Sequence, residues 1–200
     1  MATYREAITA YIAANAKPVE KYSHQPRLYK LAQQIGAEIP HDDDVLFAAA
    51  WLHDLGVFIG HRPDDTAQLA RWDHVAYVIE RAPAILTEAG FPTEKIPAVL
   101  EAIRTHQPQD DPATIEGIIL RDADILEQLG AVGILRTVCK VGRDTRFHHF
   151  TDAVASLQKA LIQLPPRIKL DPTRKLAQPK IITLQLFLEA ATRESHDSLV

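Results

Sequence analysis

The 200-residue chain contains one cysteine, Cys139, so no disulfide can close within it and no thiolate-based zinc site can form. It lacks a basic excess as well: 22 Lys and Arg stand against 26 Asp and Glu, a net charge of −4. Proteins that neutralise many nucleic-acid phosphates usually carry a basic stripe, so no nucleic-acid polymer is expected as a partner. Long apolar runs are missing too. The longest, around Val45 to Leu52, falls far short of the roughly 20 residues that cross a bilayer. The opening Met-Ala-Thr-Tyr-Arg-Glu has no basic segment leading into an apolar stretch, the mark of a signal peptide. These absences together predict a cytoplasmic protein without a membrane partner. Glycine-rich phosphate loops, a Gly-x-Ser-x-Gly nucleophile and a Cys/His dyad are absent, and Cys139 reads as a packing residue of an apolar helix.

What remains is a chain with 46% hydrophobic residues, enough to bury a core. Ala, Leu and Ile recur at helical spacing almost throughout, and alternating strand patterns are scarce. The spacing predicts an all-α protein: helices over about 4–16, from Ser23 to Gly36, 44–55 (capped by Asp42 or Asp43), 66–89 with a break at Pro83, 93–106 capped by Thr93, 112–129, 132–139, 151–163 and 173–193. The Arg/His-rich stretch from Val141 to Phe150, with Arg143, Arg146, His148 and His149, reads as a surface loop. No repeat or interdomain linker interrupts the pattern, so one domain over 1–200 is expected, with its core at about 21–136 and C-terminal helices at about 151–193.

Nine histidines make placement the informative question. His53 follows Leu46 and Ala50 by seven and three, on the apolar face of its helix, and Asp54 adjoins it. His24 begins a stripe continued by Leu28, Leu31 and Ile35. His74 shares a face with Val78, Ala82 and Ile85. His106 follows Val99 and Ile103. In Arg121-Asp122-Ala123-Asp124-Ile125-Leu126 two carboxylates stand in an apolar helix. One inward histidine is usually a satisfied core residue. Four, together with inward carboxylates that are costly to bury alone, point towards a divalent cation held by imidazole and carboxylate.

The ordered set His24-x-x-Arg27-Leu28-x-x-Leu31-Ala32, then Leu52-His53-Asp54-Leu55-Gly56, then Asp122-Ala123-Asp124-Ile125-Leu126 resembles the HD superfamily in order and spacing. So do Gly130-Ala131-Val132-Gly133-Ile134-Leu135-Arg136 and the tail around Lys175 to Glu189, which are similar to the small bacterial hydrolase branch. The resemblance implies an all-α, single-domain HD fold and a metal held by His24, His53, Asp54 and Asp124. Two features depart from the pattern. Pro26 is tolerable only in a first turn, so His24 must stand at or near a helix start. Glu127 replaces an aspartate common in relatives. The apolar stripe Ile118, Asp122, Ile125 and Leu129 favours Asp122 as the inward carboxylate, whereas the resemblance favours Asp124. Two residues apart on a helix lie about 200° apart, so both cannot face one ion. Asp124 is taken as the ligand, and Asp122 is left to cap, to pair with Arg121 or to act one layer behind the ligands.

Such a set suits Mn, Mg, Ni, Co, Fe or Zn, and the function implied is a metal-dependent phosphohydrolase. Metal-activated water would attack a small phosphate ester or anhydride, with a nucleotide as the default substrate. Asp54 is expected to bridge metal and water, and His74 and His106 to act as proton donors or phosphate contacts. Arg27 and Arg62, and less directly Arg71, are candidate substrate contacts. Some branches of the superfamily place two histidines where His74 and His106 stand and hold a second metal. That order also permits a dinuclear iron oxygenase. A small-molecule hydratase or lyase and a metal-stabilised binding module complete the alternatives.

Overall fold

The computed structural model describes residues 2–144 and 146–195. Among the described residues, ten α-helices with short 3₁₀ turns account for the regular structure, and there is no strand, only an isolated bridge between Ile59 and Arg62. No helix among the described residues is long and apolar enough to cross a membrane. The chain divides into two compact units, Met1–Arg121 and Asp122–Val200.

In the first unit, α1 (Tyr4–Asn15), α2 (His24–Gly36), α5 (His74–Glu88) and α6 (Ile96–Arg104) pack around α3 (Asp43–Leu52). The sequence of α3 explains its central place. Asp42 caps it, accepting from the N–H groups of Asp44 and Val45. From Val45 to Leu52 every residue is buried, as befits a helix that is apolar all round. Its three successive alanines, Ala48 to Ala50, let neighbours approach closely. The carboxylates of its start are anchored: Asp44 accepts from Tyr4 at 2.5 Å and pairs with Arg5 at 2.7 Å and Lys95 at 2.9 Å.

Helix α3 ends at Leu52, where its apolar run ends, three residues short of the end expected from the stop at Gly56. His53 is its cap, Asp54 leaves helical geometry (φ −100°, ψ 10°), and Leu55–Val57 forms a 3₁₀ turn. The expected helix over 66–89 is broken, but at Arg71–Asp73 rather than at Pro83. A short α4 (Thr66–Leu69) ends, Asp73 caps α5 through the Ala76 N–H, and Pro83 lies inside α5. Thr93 opens a 3₁₀ turn, Thr93–Lys95, and α6 begins only at Ile96.

Helix α7 (Ile115–Glu127) spans the boundary between the units. In the second unit, α8 (Gly130–Val138), α9 (Phe150–Gln163) and α10 (Asp171–Ser195) pack on one another. Gly130 has φ +70°, and a Cβ there would stand 3.0 Å from the Lys180 side chain; both facts favour glycine. Cys139 lies just past α8 and is exposed, contrary to a packing role, because the helix stops one residue before it. Asp152 accepts from the N–H groups of His148 and His149 at the start of α9.

Candidate metal centre

Four histidines and Asp54 gather in the first unit, all of them at helix ends. His24 is the first residue of α2, with Pro26 in the first turn where its missing N–H costs nothing. His53 and Asp54 follow α3, His74 opens α5, and His106 lies just beyond α6.

Two of the rings are fixed by the same device. The His53 Nδ1 lies 3.0 Å from the Ala50 carbonyl, and the His106 Nδ1 lies 2.6 Å from the Ile103 carbonyl. Each carbonyl belongs to the last turn of a helix and has no intrahelical donor of its own. A carbonyl accepts only, so in the neutral ring Nδ1 carries the proton and Nε2 the lone pair. A ring whose second nitrogen donates to the backbone is oriented and made more basic as a ligand.

The His53 Nε2 stands 3.3 Å from the His24 Nε2, and a carboxylate oxygen of Asp54 lies 3.7 Å from both nitrogens. One ligand atom from each of His53, Asp54 and His106 falls within 4.8 Å of the others. Ring centroids separate His24 from His53 by 5.3 Å, His53 from His106 by 5.0 Å and His106 from His74 by 5.9 Å. His24, His53 and His106 are buried; His74 is half-buried. Burial pushes the Asp54 carboxyl up, but His53, then His24, His106 and His74, outweigh it and hold the group well below the usual carboxylate range.

These residues fit a divalent cation. Two nitrogens that share an ion at about 2.1 Å each stand about 3.0–3.4 Å apart, and the His24–His53 distance lies in that range. Imidazole nitrogens with one carboxylate form a borderline N/O set suited to first-row divalent metals.

The other predicted residues are placed as follows. Arg27 sits one turn after His24 on α2 and is half-buried. Arg62 lies in the loop after the 3₁₀ turn, its N–H on the Phe58 carbonyl. Arg71 is exposed. In the second unit, Asp124 is half-buried and accepts from the Gln128 Nε2 at 3.0 Å. Asp122 is fully buried, and its carboxylate takes the N–H groups of Lys169 at 3.2 Å and Leu170 at 2.9 Å, ahead of α10. Glu127 pairs with Arg136 at 3.3 Å.

Sequence reasoning missed Trp72 and the use made of Gly56. The Trp72 Nε1 donates to the Gly56 carbonyl at 2.8 Å. A Cβ on Gly56 would meet the His74 carbonyl oxygen at 2.6 Å and its Cα at 2.9 Å. The only sequence signal for either was the Gly after Leu-His-Asp-Leu.

Comparison with known proteins places this geometry in context. No curated protein matches the sequence. Among solved structures, the chain is similar to Bacillus subtilis YpgQ in complex with ADP, at 24% identity over 96% of this chain and 94% of that one, with a TM-score of 0.72. It is similar to the Lin1889 protein of Listeria innocua at 20% identity over 97% and 96%, TM-score 0.72. It is also similar to a predicted HD superfamily hydrolase from an uncultured Thermotogales bacterium, at 26% identity over 96% and 88%, TM-score 0.59. The HD domain family matches residues 22–129, more than half of the chain and the whole span from the approach to His24 through Asp124. The chain therefore belongs to the HD domain family.

Proposed function

We propose that this protein is a metal-dependent phosphohydrolase acting on a nucleotide or another small phosphate ester or anhydride. The observation that carries the reading is the convergence of the His24 and His53 Nε2 atoms at 3.3 Å with the Asp54 carboxylate 3.7 Å from each. On this reading His24, His53 and Asp54 hold a divalent ion, and Asp124 joins them by its position in the family pattern. When bound, the ion lowers the pKa of a water molecule and offsets negative charge on phosphorus. Asp54 accepts a hydrogen bond from the attacking water and orients it. His106 in its imidazolium form, with the second proton on Nε2, and His74, both next to the ligand set, donate a proton to the leaving oxygen or hydrogen-bond the transferring group. Arg27, one turn after His24 on α2, is a candidate for a bidentate phosphate contact, and Arg62 is a second. Asp122 supports the C-terminal helix rather than the ion. The ADP held by YpgQ supports a nucleotide as the first substrate class to try.

The test is a metal-stripped protein reloaded singly with Mn, Mg, Ni, Co, Fe or Zn. It is assayed for phosphate release from nucleotides, phosphodiesters and phosphonates, with bound metal counted. Release that depends on the metal supports the reading. The 5.9 Å approach of His74 and His106 favours one second reading, a dinuclear iron oxygenase. Two irons per chain with oxygen consumption and no phosphate release would replace the hydrolase by it.

A further inference from the structure

The loop that carries Asp54 and the helix that begins at His74 are locked together by two contacts that do not involve the ligand set. First, Gly56 packs so tightly on the His74 backbone that an added Cβ would come within 2.6 Å of its carbonyl oxygen, a distance side-chain atoms do not tolerate. The obstacle is backbone and cannot swing aside. Second, the Trp72 indole N–H reaches back to the Gly56 carbonyl at 2.8 Å. Trp72 lies in the turn that separates α4 from α5, two residues before His74. Its ring packs on Tyr77 at 5.3 Å, and the Tyr77 hydroxyl is hydrogen-bonded to the His61 Nδ1 at 2.8 Å. The His61 Nε2 in turn is 3.0 Å from Asn15 at the end of α1. The indole is therefore held on one side by the loop after the His-Asp pair and on the other by a braced aromatic ring.

We infer that Trp72 is a positioning residue. Through its hydrogen bond to Gly56 it fixes where α5 begins, and so sets the distance of the His74 imidazole from Asp54 and His106. The inference rests on the proposed role of His74 only for its effect on turnover. Its structural content stands without any reaction. The indole bond falls within the break at Arg71–Asp73, where the Asp73 cap starts α5.

The test compares Trp72→Phe, His74→Ala and the double variant with the wild type. Helical content by circular dichroism checks folding. Phenylalanine keeps an aromatic ring against Tyr77 and removes only the indole N–H. In metal-free, ¹⁵N-labelled protein, the half-buried Trp72 indole N–H should be protected from exchange. In Trp72→Phe the His74 ring resonances should move while those of His24 stay in place. With the manganese-loaded protein and a nucleoside triphosphate, Trp72→Phe should lower kcat by about 10- to 100-fold, the scale of a misplacement near 1 Å, with KM within about twofold. The same substitution in the His74→Ala background should add nothing, since the residue it positions is gone. A plain loss of stability would instead lower both backgrounds alike. Unmoved His74 resonances in a folded Trp72→Phe protein, or equal kcat losses in both backgrounds, would overturn the inference. A His74→Ala variant with full turnover but displaced His74 resonances in Trp72→Phe would leave the positioning role standing and remove His74 from the proposed chemistry.

Discussion

Replacing Asp54 by alanine separates metal binding from folding, and its size can be worked out in advance. The carboxylate sits 3.7 Å from both the His24 and His53 Nε2 atoms, with 23% of its side chain exposed. Among the described residues no backbone N–H donates to it, so the metal-free variant should keep the helical fold of the metal-free wild type, and each protein's metal-induced shift is read against its own metal-free Tm. A ligand at 100 times its Kd stabilises the native state by about 2.7 kcal/mol. For a chain of this length each kcal/mol is worth about 2–4 °C, so manganese at that concentration should raise the wild-type Tm by about 5–11 °C. Loss of groups that merely support a metal ligand weakens binding by about 10- to 100-fold, and loss of the ligand itself costs no less. A hundredfold weaker site at the same metal concentration retains about 0.4 kcal/mol, a shift of about 2 °C or less. Differential scanning fluorimetry with and without metal, alongside metal quantification, makes the measurement. An undiminished shift in Asp54→Ala would refute the assignment of this aspartate to the ion.

The two aspartates of α7 should part company. Asp122→Ala leaves the Lys169 and Leu170 N–H groups without their carboxylate and should cost about 2 kcal/mol of stability by chemical denaturation with metal affinity intact. Asp124→Asn should weaken metal binding by calorimetric titration with little effect on stability, and the reverse order would show that the family register has been misapplied. His74→Ala and His106→Ala should each reduce turnover by about 10²–10⁴ while retaining nearly one metal per chain; a wild-type count of two, falling to one in both, would favour the dinuclear reading. Asp44 supplies a pH test. The Tyr4 hydroxyl, then Lys95 and Arg5, hold its carboxyl below the ordinary range, so its contribution to stability is complete above the unfolded value of about 3.9 and is lost as pH falls towards the lower folded one. Asp44→Asn should therefore cost about 1 kcal/mol at pH 7 and progressively less below pH 4 in urea titrations; a constant difference across that range would contradict the assignment.

The helices were largely legible because most of them are bounded by local chemistry. Thr3 and Glu6 box the start of α1, and Asp42 caps α3. The break between α4 and α5 carries a local mark, the Asp73 cap of α5, whereas the bond beside it, from Trp72 to a residue 16 positions away, has no sequence signal. Pro83 was the obvious place to break the helix, and its interior position costs about 3 kcal/mol. Burial outweighs that cost: Val78 and Leu86, fully buried on the same helix, are worth about 1.5–3 kcal/mol each, and Ile85 adds more. Around α7, periodicity misled for a different reason. Ile119, Leu120, Ala123 and Leu126 are as fully buried as Ile125 and Leu129, so no single apolar stripe marks an inward face. Burial of Asp122 says only that its charge is satisfied, and backbone N–H groups satisfy it.

The histidines show why a site of this kind is partly visible to pattern reading and partly hidden from it. His24 and His74 each begin a stripe and His53 and His106 each end one, so helical spacing places all four on apolar faces. Yet none lies in a helix interior, and at a helix end the backbone no longer satisfies its own polar groups. That is what lets the Ala50 and Ile103 carbonyls fix the tautomers of His53 and His106. In mid-helix each carbonyl would already be taken by the N–H four residues on, and the ring nitrogen would have to find its donor or acceptor elsewhere. The apolar stripe thus brings each ring to the interior, and the exhausted ladder at the helix end orients it. The first effect is written in a spacing of three, four and seven; the second depends on where the helix stops, which for α3 is Leu52, three residues before the end that Gly56 suggested.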